Sequence, residues 1–168
     1  NVDKDLCQDW KSRLPIILAG YEDRDVYNLD ETGLFFRALP TKSLVEKAEE
    51  AKGGKQAKQR LTVCFCANVA NEKEKPIFIW HSKKPRCFKG KDLSQMGVKY
   101  HHNKKALMTM EIFKDWLISF DNKITNQGRK VILFLDNAPC HSFCENLQVA
   151  VTMTVERVYA LEPATVGY

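Results

Sequence analysis

The 168-residue chain lacks the long apolar runs that a membrane-spanning helix needs, because no stretch of about 18 apolar residues occurs in it. Its first residues, NVDKDLCQDW, show neither an initiator methionine nor the pattern of a secretory signal. We therefore expect a soluble globular domain with no membrane partner. The missing methionine also indicates a fragment of a longer protein.

Cysteine pairs at zinc-finger spacing are lacking too. The segment CHSFC places Cys140, His141 and Cys144 close together, but no second Cys/His pair stands at the spacing of a finger. Cys64 and Cys66 lie two residues apart in LTVCFCANV and would share one face of a strand among apolar neighbours. We expect reduced, buried thiols in an intracellular protein rather than disulfides or a zinc site.

Acidic residues are absent from the segments in which positive charge is concentrated. The net charge is +5, and the runs Lys52–Arg60 and Lys83–Lys91 contain no Asp or Glu. Clustered positive charge neutralises phosphates and releases counterions, which is typical of a surface that binds nucleic acid. Solvated loops on a basic protein are the alternative. The candidate nucleic-acid-binding residues are Lys55, Lys58, Arg60, Lys83, Lys84 and Arg86.

The order of predicted elements is typical of an α/β domain. A helical lead-in covers residues 1–20, and a short strand then ends at a DETG turn. RLTVCFCANVA and PIFIWHS form a hairpin-like pair of strands. A helix capped by Thr109 follows, with apolar residues spaced by three and four. The last strand, Val131–Asp136, is continuously apolar before its aspartate, which indicates burial on both faces and a parallel neighbour.

Two aspartates stand at the ends of predicted strands. Asp30 follows VYNL, and Asp136 follows VILFL. If the strands are parallel neighbours, both carboxylates face the edge of the sheet at which ligands bind. Paired carboxylate oxygens suit Mg²⁺ or Mn²⁺, and two such ions support phosphoryl displacement. Turn and capping chemistry is the alternative reading of each aspartate.

Four segments together carry a family resemblance: NLDETGLFFRALPTKSL, KQRLTVCFCANV, KPIFIWHSKKPRCFKG and GRKVILFLDNAPCH. From about Asn28 to His141 the chain resembles the DDE endonuclease domain of pogo/Tigger-type transposases, a group that includes centromere-protein-B-like and jerky-like proteins. The resemblance implies an RNase H-like fold with a mixed central sheet flanked by helices. It implies a linker over residues 1–20, the DDE domain over residues 21–168, and a nuclear location. The N-terminal helix-turn-helix DNA-binding region of full-length members is not in this sequence.

The resemblance also implies the site. Asp30 and Asp136 match the two strand aspartates that hold divalent metals, Mg²⁺ or Mn²⁺. His141 matches a histidine that either touches the active site or makes a structural hydrogen bond. Thr165 stands at the position of the third acid, and Glu162 is a weak substitute. The C-terminal end of the fold is therefore left open as complete or incomplete.

We expect a transposon-derived DDE domain that binds nucleic acid and whose catalysis is weakened or lost, since threonine is a poor third ligand. Two alternatives stay open. One is an active transposase fragment whose third acid is supplied elsewhere. The other is a non-catalytic module that binds DNA or protein.

Overall fold

A computed structural model describes residues 4–36, 59–141 and 155–159. Its two α-helices are α1 (Lys4–Ile17) and α2 (Met110–Asn126). The strands are β1 (Val26–Leu34), β2 (Leu61–Asn68), β3 (Ile77–Trp80), β4 (Lys99–His102), β5 (Val131–Leu135) and β6 (Val155–Tyr159). They form one mixed sheet in the order β4-β3-β2-β1-β5-β6, which confirms the expected α/β class. Within these described residues, we find no helix with the length and apolarity to cross a membrane.

Strand β1 lies between an antiparallel and a parallel neighbour. It pairs with β2 from Tyr27 to Leu34 and with β5 in parallel through Asn28 and Phe134. The predicted parallel pairing and the β2–β3 hairpin are thereby confirmed. The prediction of a DETG turn is wrong, because β1 continues through these residues and pairs each of them with β2. Ladder hydrogen bonds outweigh the local turn preference of Asp and Gly here.

One face of the sheet packs against α2 and forms the core. The inward residues of β1, β2 and β3 alternate along each strand, as the period of two requires. The predicted aromatic stripe of α2 is core, with Trp116 and Phe120 stacked at 5.1 Å between ring centroids. Cys64 and Cys66 are buried here as free thiols, and burial raises the pKa of Cys66 to about 12. These thiols therefore stay neutral packing groups.

Helix α2 begins and ends at sequence signals. The Thr109 side chain accepts a hydrogen bond from the backbone N–H of Ile112 at 3.3 Å, which confirms the predicted N-cap. The helix ends at Asn126, and Gly128 adopts a φ of +64° just beyond it. That left-handed conformation suits glycine and turns the chain back toward β5.

The opposite face of the sheet carries the outward side chains of β1 and part of α1. Asn28, Asp30 and Thr32 are exposed there. Trp10 of α1 meets Phe134 of β5 edge to face, with ring centroids 6.3 Å apart. The predicted helical lead-in is thus a helix that packs on the sheet, and the proposed boundary after residue 20 stays a prediction.

A partly buried ion pair joins the two chain segments that enter the parallel strands. Arg129 precedes β5, and Asp25 precedes β1. The Arg129 guanidinium contacts Asp25 Oδ1 through Nε at 2.8 Å and Nη2 at 2.7 Å, and also donates to the carbonyl of Arg24. The two side chains are only 17% and 14% exposed. This two-pronged contact holds the starts of both strands in register.

We expect Arg129→Met to lower the free energy of unfolding by about 2 kcal/mol, since it leaves a partly buried carboxylate without its charged donor. Urea denaturation measures this. The matched control is Arg13→Met, which removes a solvent-exposed helix pair with Asp9 and should cost no more than about 0.5 kcal/mol. Equal losses in the two variants would show that the Arg129 contact does not hold the strands.

Candidate active site

Strands β1 and β5 bring both predicted aspartates to one edge of the sheet. Their register ends at the pair Asn28 and Phe134, and Asp30 and Asp136 lie two residues farther along each strand. Asp30 is exposed on the face opposite α2, and its Oδ1 accepts the backbone N–H of Glu31 at 2.8 Å. Asp136 directly follows β5, and its side chain is 41% exposed. Asp136 thus lies at the carboxyl end of β5, whereas Asp30 lies within β1, just past the point where the pairing of the two strands stops, and both carboxylates are accessible.

Glu31 points to the other face, because neighbouring residues of a strand face opposite sides. Its side chain is 12% exposed, and its Oε1 lies 2.9 Å from Nε2 of His141. His141 is fully buried, and its ring packs against Phe113 of α2 with centroids 4.5 Å apart. Glu31 therefore anchors a histidine that reaches the sheet edge from the core side.

The second ring nitrogen of His141 contacts Asp136. Nδ1 lies 2.6 Å from the Asp136 carboxylate Oδ1 and 3.2 Å from the Asp136 carbonyl oxygen. Since both ring nitrogens face oxygen acceptors, both donate when the imidazole is protonated. Burial lowers the pKa of His141, but the hydrogen bond and charge of Glu31, followed by Asp136, outweigh it, and the net shift is upward. In its protonated form the ring bridges two carboxylates.

A tight turn returns the chain from Asp136 to His141. The Asp136 carboxylate accepts the N–H of Ala138 at 3.3 Å, and the N–H of His141 donates to the Ala138 carbonyl at 2.8 Å. Burial and the charges of Glu31 and Asp136 raise the pKa of the intervening Cys140 thiol to about 11, so it is neutral near pH 7. The turn and the histidine together fix the orientation of the Asp136 side chain.

A divalent cation fits the oxygen donors of this edge. Glu31, Asp136 and His141 each offer a ligand atom within 4.8 Å of the others, the one such group in the described part of the chain. A protonated His141 has no free lone pair, however, so its nitrogens hold the carboxylates in place. The accessible oxygens are those of Asp136 and of Asp30, which lies outside that group. Hard carboxylate oxygens are suitable ligands for Mg²⁺ or Mn²⁺.

Sequence reasoning missed Glu31. Its signal is its place directly after Asp30, which only acquires meaning if DETG is a strand, since alternation then sends the two carboxylates to opposite faces. For His141, the structure shows the hydrogen-bonding role that was one of the two alternatives.

The predicted basic residues are distributed differently. Lys83, Lys84 and Arg86 are exposed after β3, where they can meet a polyanion. Arg60 is half-buried, donates from Nε to Thr62 Oγ1 at 3.1 Å and lies 5.9 Å above the Phe35 ring. Lys55, Lys58, Glu162 and Thr165 lie outside the described residues.

The profile of the family described as DDE superfamily endonuclease matches residues 58–163. The chain belongs to this family. Tigger transposable element-derived protein 4 of Mus musculus is 36% identical over 140 residues, which are 83% of this chain and 27% of the relative. Jerky protein homolog of Homo sapiens is 41% identical over 132 residues, 73% of this chain and 23% of the relative. CENP-B homolog protein 2 of Schizosaccharomyces pombe is 33% identical over 128 residues, which are 74% of this chain and 24% of the relative.

The chain spans about a quarter of the length of these curated relatives. Among solved structures, the Mos1 mariner paired end complex with Mn has a TM-score of 0.53 at 14% identity, covering 96% of this chain and 44% of that one. The Mos1 strand transfer complex has a TM-score of 0.53 at 16% identity, covering 96% of this chain and 43% of that one. This likeness confirms the RNase H-like fold.

We expect His141→Asn to lower the free energy of unfolding by about 3 kcal/mol, because it leaves Glu31 poorly paired at a buried position. The double variant His141→Asn with Glu31→Gln should recover part of the lost unfolding free energy. Urea unfolding in EDTA-containing buffer measures both, and His102→Asn, at an exposed histidine, is the control. Independent, additive losses at Glu31 and His141 would contradict the ion pair.

The same comparison should depend on pH. The folded-state pKa of His141 is raised above the ordinary value of 6.5, so its stabilisation is complete below that value and is lost as pH rises through the raised folded-state pKa. The difference in unfolding free energy between wild type and His141→Asn should therefore shrink in alkaline buffer. A difference that grows with pH would show that the ring is neutral in the folded state.

Proposed function

We propose that this DDE domain binds nucleic acid through its exposed basic residues and holds divalent cations at Asp30 and Asp136, with DNA cleavage weakened or lost. The observation that carries the proposal is the parallel pairing of β1 and β5, which leads both aspartates to one edge. Asp30 and Asp136 provide the ligand oxygens. Glu31 and His141 orient Asp136 from the core side.

The chain's own residues prepare this edge for a cation. The ring of His141 contacts Asp136 Oδ1 through Nδ1 at 2.6 Å, and the turn at Ala138 restricts the rotation of the Asp136 carboxylate. Asp30 keeps an exposed carboxylate on a strand that is paired on both sides, so its backbone is held. A Mg²⁺ or Mn²⁺ ion bound there would stabilise the negative charge of a phosphodiester during in-line displacement. The Mos1 structure with Mn supports a divalent ion for this fold.

The weakened catalysis follows from Thr165. A threonine hydroxyl carries no charge, so a site that relies on a third carboxylate would bind a second cation poorly, and cleavage would fall by orders of magnitude. The alternatives remain an active fragment with the acid supplied by another residue, and a module that binds DNA or protein without metal.

DNA is the proposed partner and the nucleus the proposed location. Relatives bear the names ARS-binding protein 1 and Major centromere autoantigen B. The exposed Lys83, Lys84 and Arg86 supply positive charge for a phosphate backbone.

Mn²⁺ should stabilise the domain against thermal unfolding, by about 2.7 kcal/mol at a hundredfold excess over Kd. Asp30→Asn and Asp136→Asn should each abolish the effect, because each removes a charged ligand. Differential scanning fluorimetry with increasing MnCl₂ measures it. Asp115→Asn, at an exposed carboxylate of α2, is the matched control and should keep the full stabilisation.

Glu31→Gln distinguishes two ligand sets. If Asp30 and Asp136 hold the ion, this variant weakens Mn²⁺ stabilisation without removing it. If Glu31, Asp136 and His141 hold the ion instead, it abolishes the effect and Asp30→Asn does not. No metal-dependent stabilisation in the wild-type chain would refute the metal site altogether.

We expect no nicking of supercoiled plasmid by this chain with Mg²⁺ or Mn²⁺, and a gain of nicking in Thr165→Asp, which restores the third carboxylate. Agarose electrophoresis of the plasmid measures both. Thr165→Asp combined with Asp136→Asn is the control and should be inactive. Wild-type nicking that Asp136→Asn removes would establish the active alternative.

A different result would establish the metal-free binding module. DNA binding would then weaken with salt and be unchanged by substitution of Asp30 or Asp136, and Mn²⁺ would not stabilise the domain.

A further inference from the structure

An aromatic groove lies on the face of the sheet opposite α2, at the β3–β4 edge. It has a volume of about 740 Å³. Ile77 and Ile79 of β3 point into the core, so the alternating Phe78 and Trp80 point to the opposite face, where they line the groove. Tyr100 of β4 lies beside Phe78 in the strand register and lines it as well.

The rings of the groove are fixed by one another. Phe88 meets Tyr100 edge to face with centroids 5.3 Å apart, and the Tyr100 hydroxyl donates to the Ser82 carbonyl. Phe36 tilts against Trp80 at 5.3 Å. Trp80, Phe88 and Tyr100 are only half-buried, and Phe36 is 57% exposed, so part of the aromatic surface meets solvent. Such preorganised rings bind a planar ligand at little entropic cost.

A basic depression of about 460 Å³ adjoins the groove and shares Lys84, Arg86 and Phe88 with it. Lys83, Lys89 and Lys91 line the rest of its charged surface. Within the described part of the chain, none of the residues that line either concavity is acidic. Aromatic surface therefore lies directly beside concentrated positive charge.

We propose that this groove takes an unpaired nucleobase of a single-stranded nucleic acid, whose flanking phosphates contact Lys83, Lys84 and Arg86. The inference rests on the proposed function, because it specifies which form of nucleic acid the basic residues bind. Bases stack on aromatic side chains with little sequence preference, and the backbone follows adjacent positive charge. The bases of an intact duplex are already stacked, so the groove distinguishes single from double strands.

The groove and the candidate metal edge share one face of the sheet. Thr32, Val63, Phe78 and Tyr100 form one row across β1, β2, β3 and β4. Asp30 lies on the face of Thr32, two residues along β1, and Phe78 lies two strand spacings from Thr32, or roughly 10 Å. A single strand on this face can therefore extend from the groove toward Asp30.

The fluorescence of Trp80 tests the proposal directly. In a Trp10→Phe background, Trp116 is buried in the core and should stay constant, so quenching reports on Trp80. A short oligothymidylate should quench the emission, whereas a duplex of equal charge should bind with less quenching. Quenching that is equal for single strand and duplex, or absent with both, would overturn the proposal.

Variants test the same point by affinity. Trp80→Leu and Phe88→Ala should each weaken single-strand binding by roughly 5- to 150-fold and leave duplex binding unchanged. Met110→Ala is the control, since Met110 is 40% exposed at the start of α2, which covers the opposite face of the sheet. Lys84→Glu with Arg86→Glu should weaken binding of both forms and lower its salt dependence. Thermal melts check that each variant folds, and unchanged single-strand affinity in folded Trp80→Leu and Phe88→Ala would refute the groove.

Two further outcomes separate the groove from the metal site and from a protein partner. Asp30→Asn, at an exposed carboxylate, should lose Mn²⁺ stabilisation yet keep single-strand binding and Trp80 quenching, which would support the groove independently. Duplex binding and metal stabilisation without a preference for single strands would refute the groove proposal and leave the proposed function standing. An acidic, aromatic-containing peptide that quenches Trp80 where oligothymidylate does not would assign the groove to a protein and overturn the proposal.

Discussion

The parallel pairing of β1 with β5 is the constraint on which the rest of this domain depends. It joins residues that are more than a hundred positions apart, and it requires the connection between them to cross over the sheet. Helix α2 provides that crossover and covers the core face as it does so. The contact of Arg129 with Asp25 secures the point at which both strands begin. The candidate site exists only because this pairing places Asp30 and Asp136 each two residues past its last pair.

The electrostatics of the edge follow from burial. A charged imidazole inside a core is unfavourable unless acceptors surround it, and His141 meets one carboxylate at each nitrogen. Glu31 balances the charge from the core side, and Asp136 does so at the surface. Asp136 is therefore shared between the interior and the solvent-facing edge. One carboxylate oxygen contacts the histidine, and the accessible part of the group stays available for a ligand.

Much of the architecture could be predicted because it depends on the spacing of apolar residues within short segments of the sequence. The spacing of Phe113, Trp116 and Phe120 specifies the core face of α2, and the apolar run before Asp136 specifies a strand buried on both sides. The partners of His141 could not be predicted, since Glu31 is 110 residues away and its direction depends on strand pairing. DETG has the composition of a turn, and it is extended because each of its residues pairs with β2 in the sheet. The groove was missed for a similar reason. Its rings come from separate segments around β3 and β4, and each segment alone resembles ordinary core.

The dual use of Asp136 affects how descendants of such a domain would change over time. A chain that no longer cuts DNA is free to lose a residue whose sole task was cleavage. Asp136 is not free in that sense, because replacing it would remove a charged acceptor of a buried histidine and so endanger folding. Its persistence in a domain of this type is a poor guide to retained activity. Asp30, whose exposed carboxylate makes a local hydrogen bond to the backbone of Glu31, is the more informative of the two aspartates.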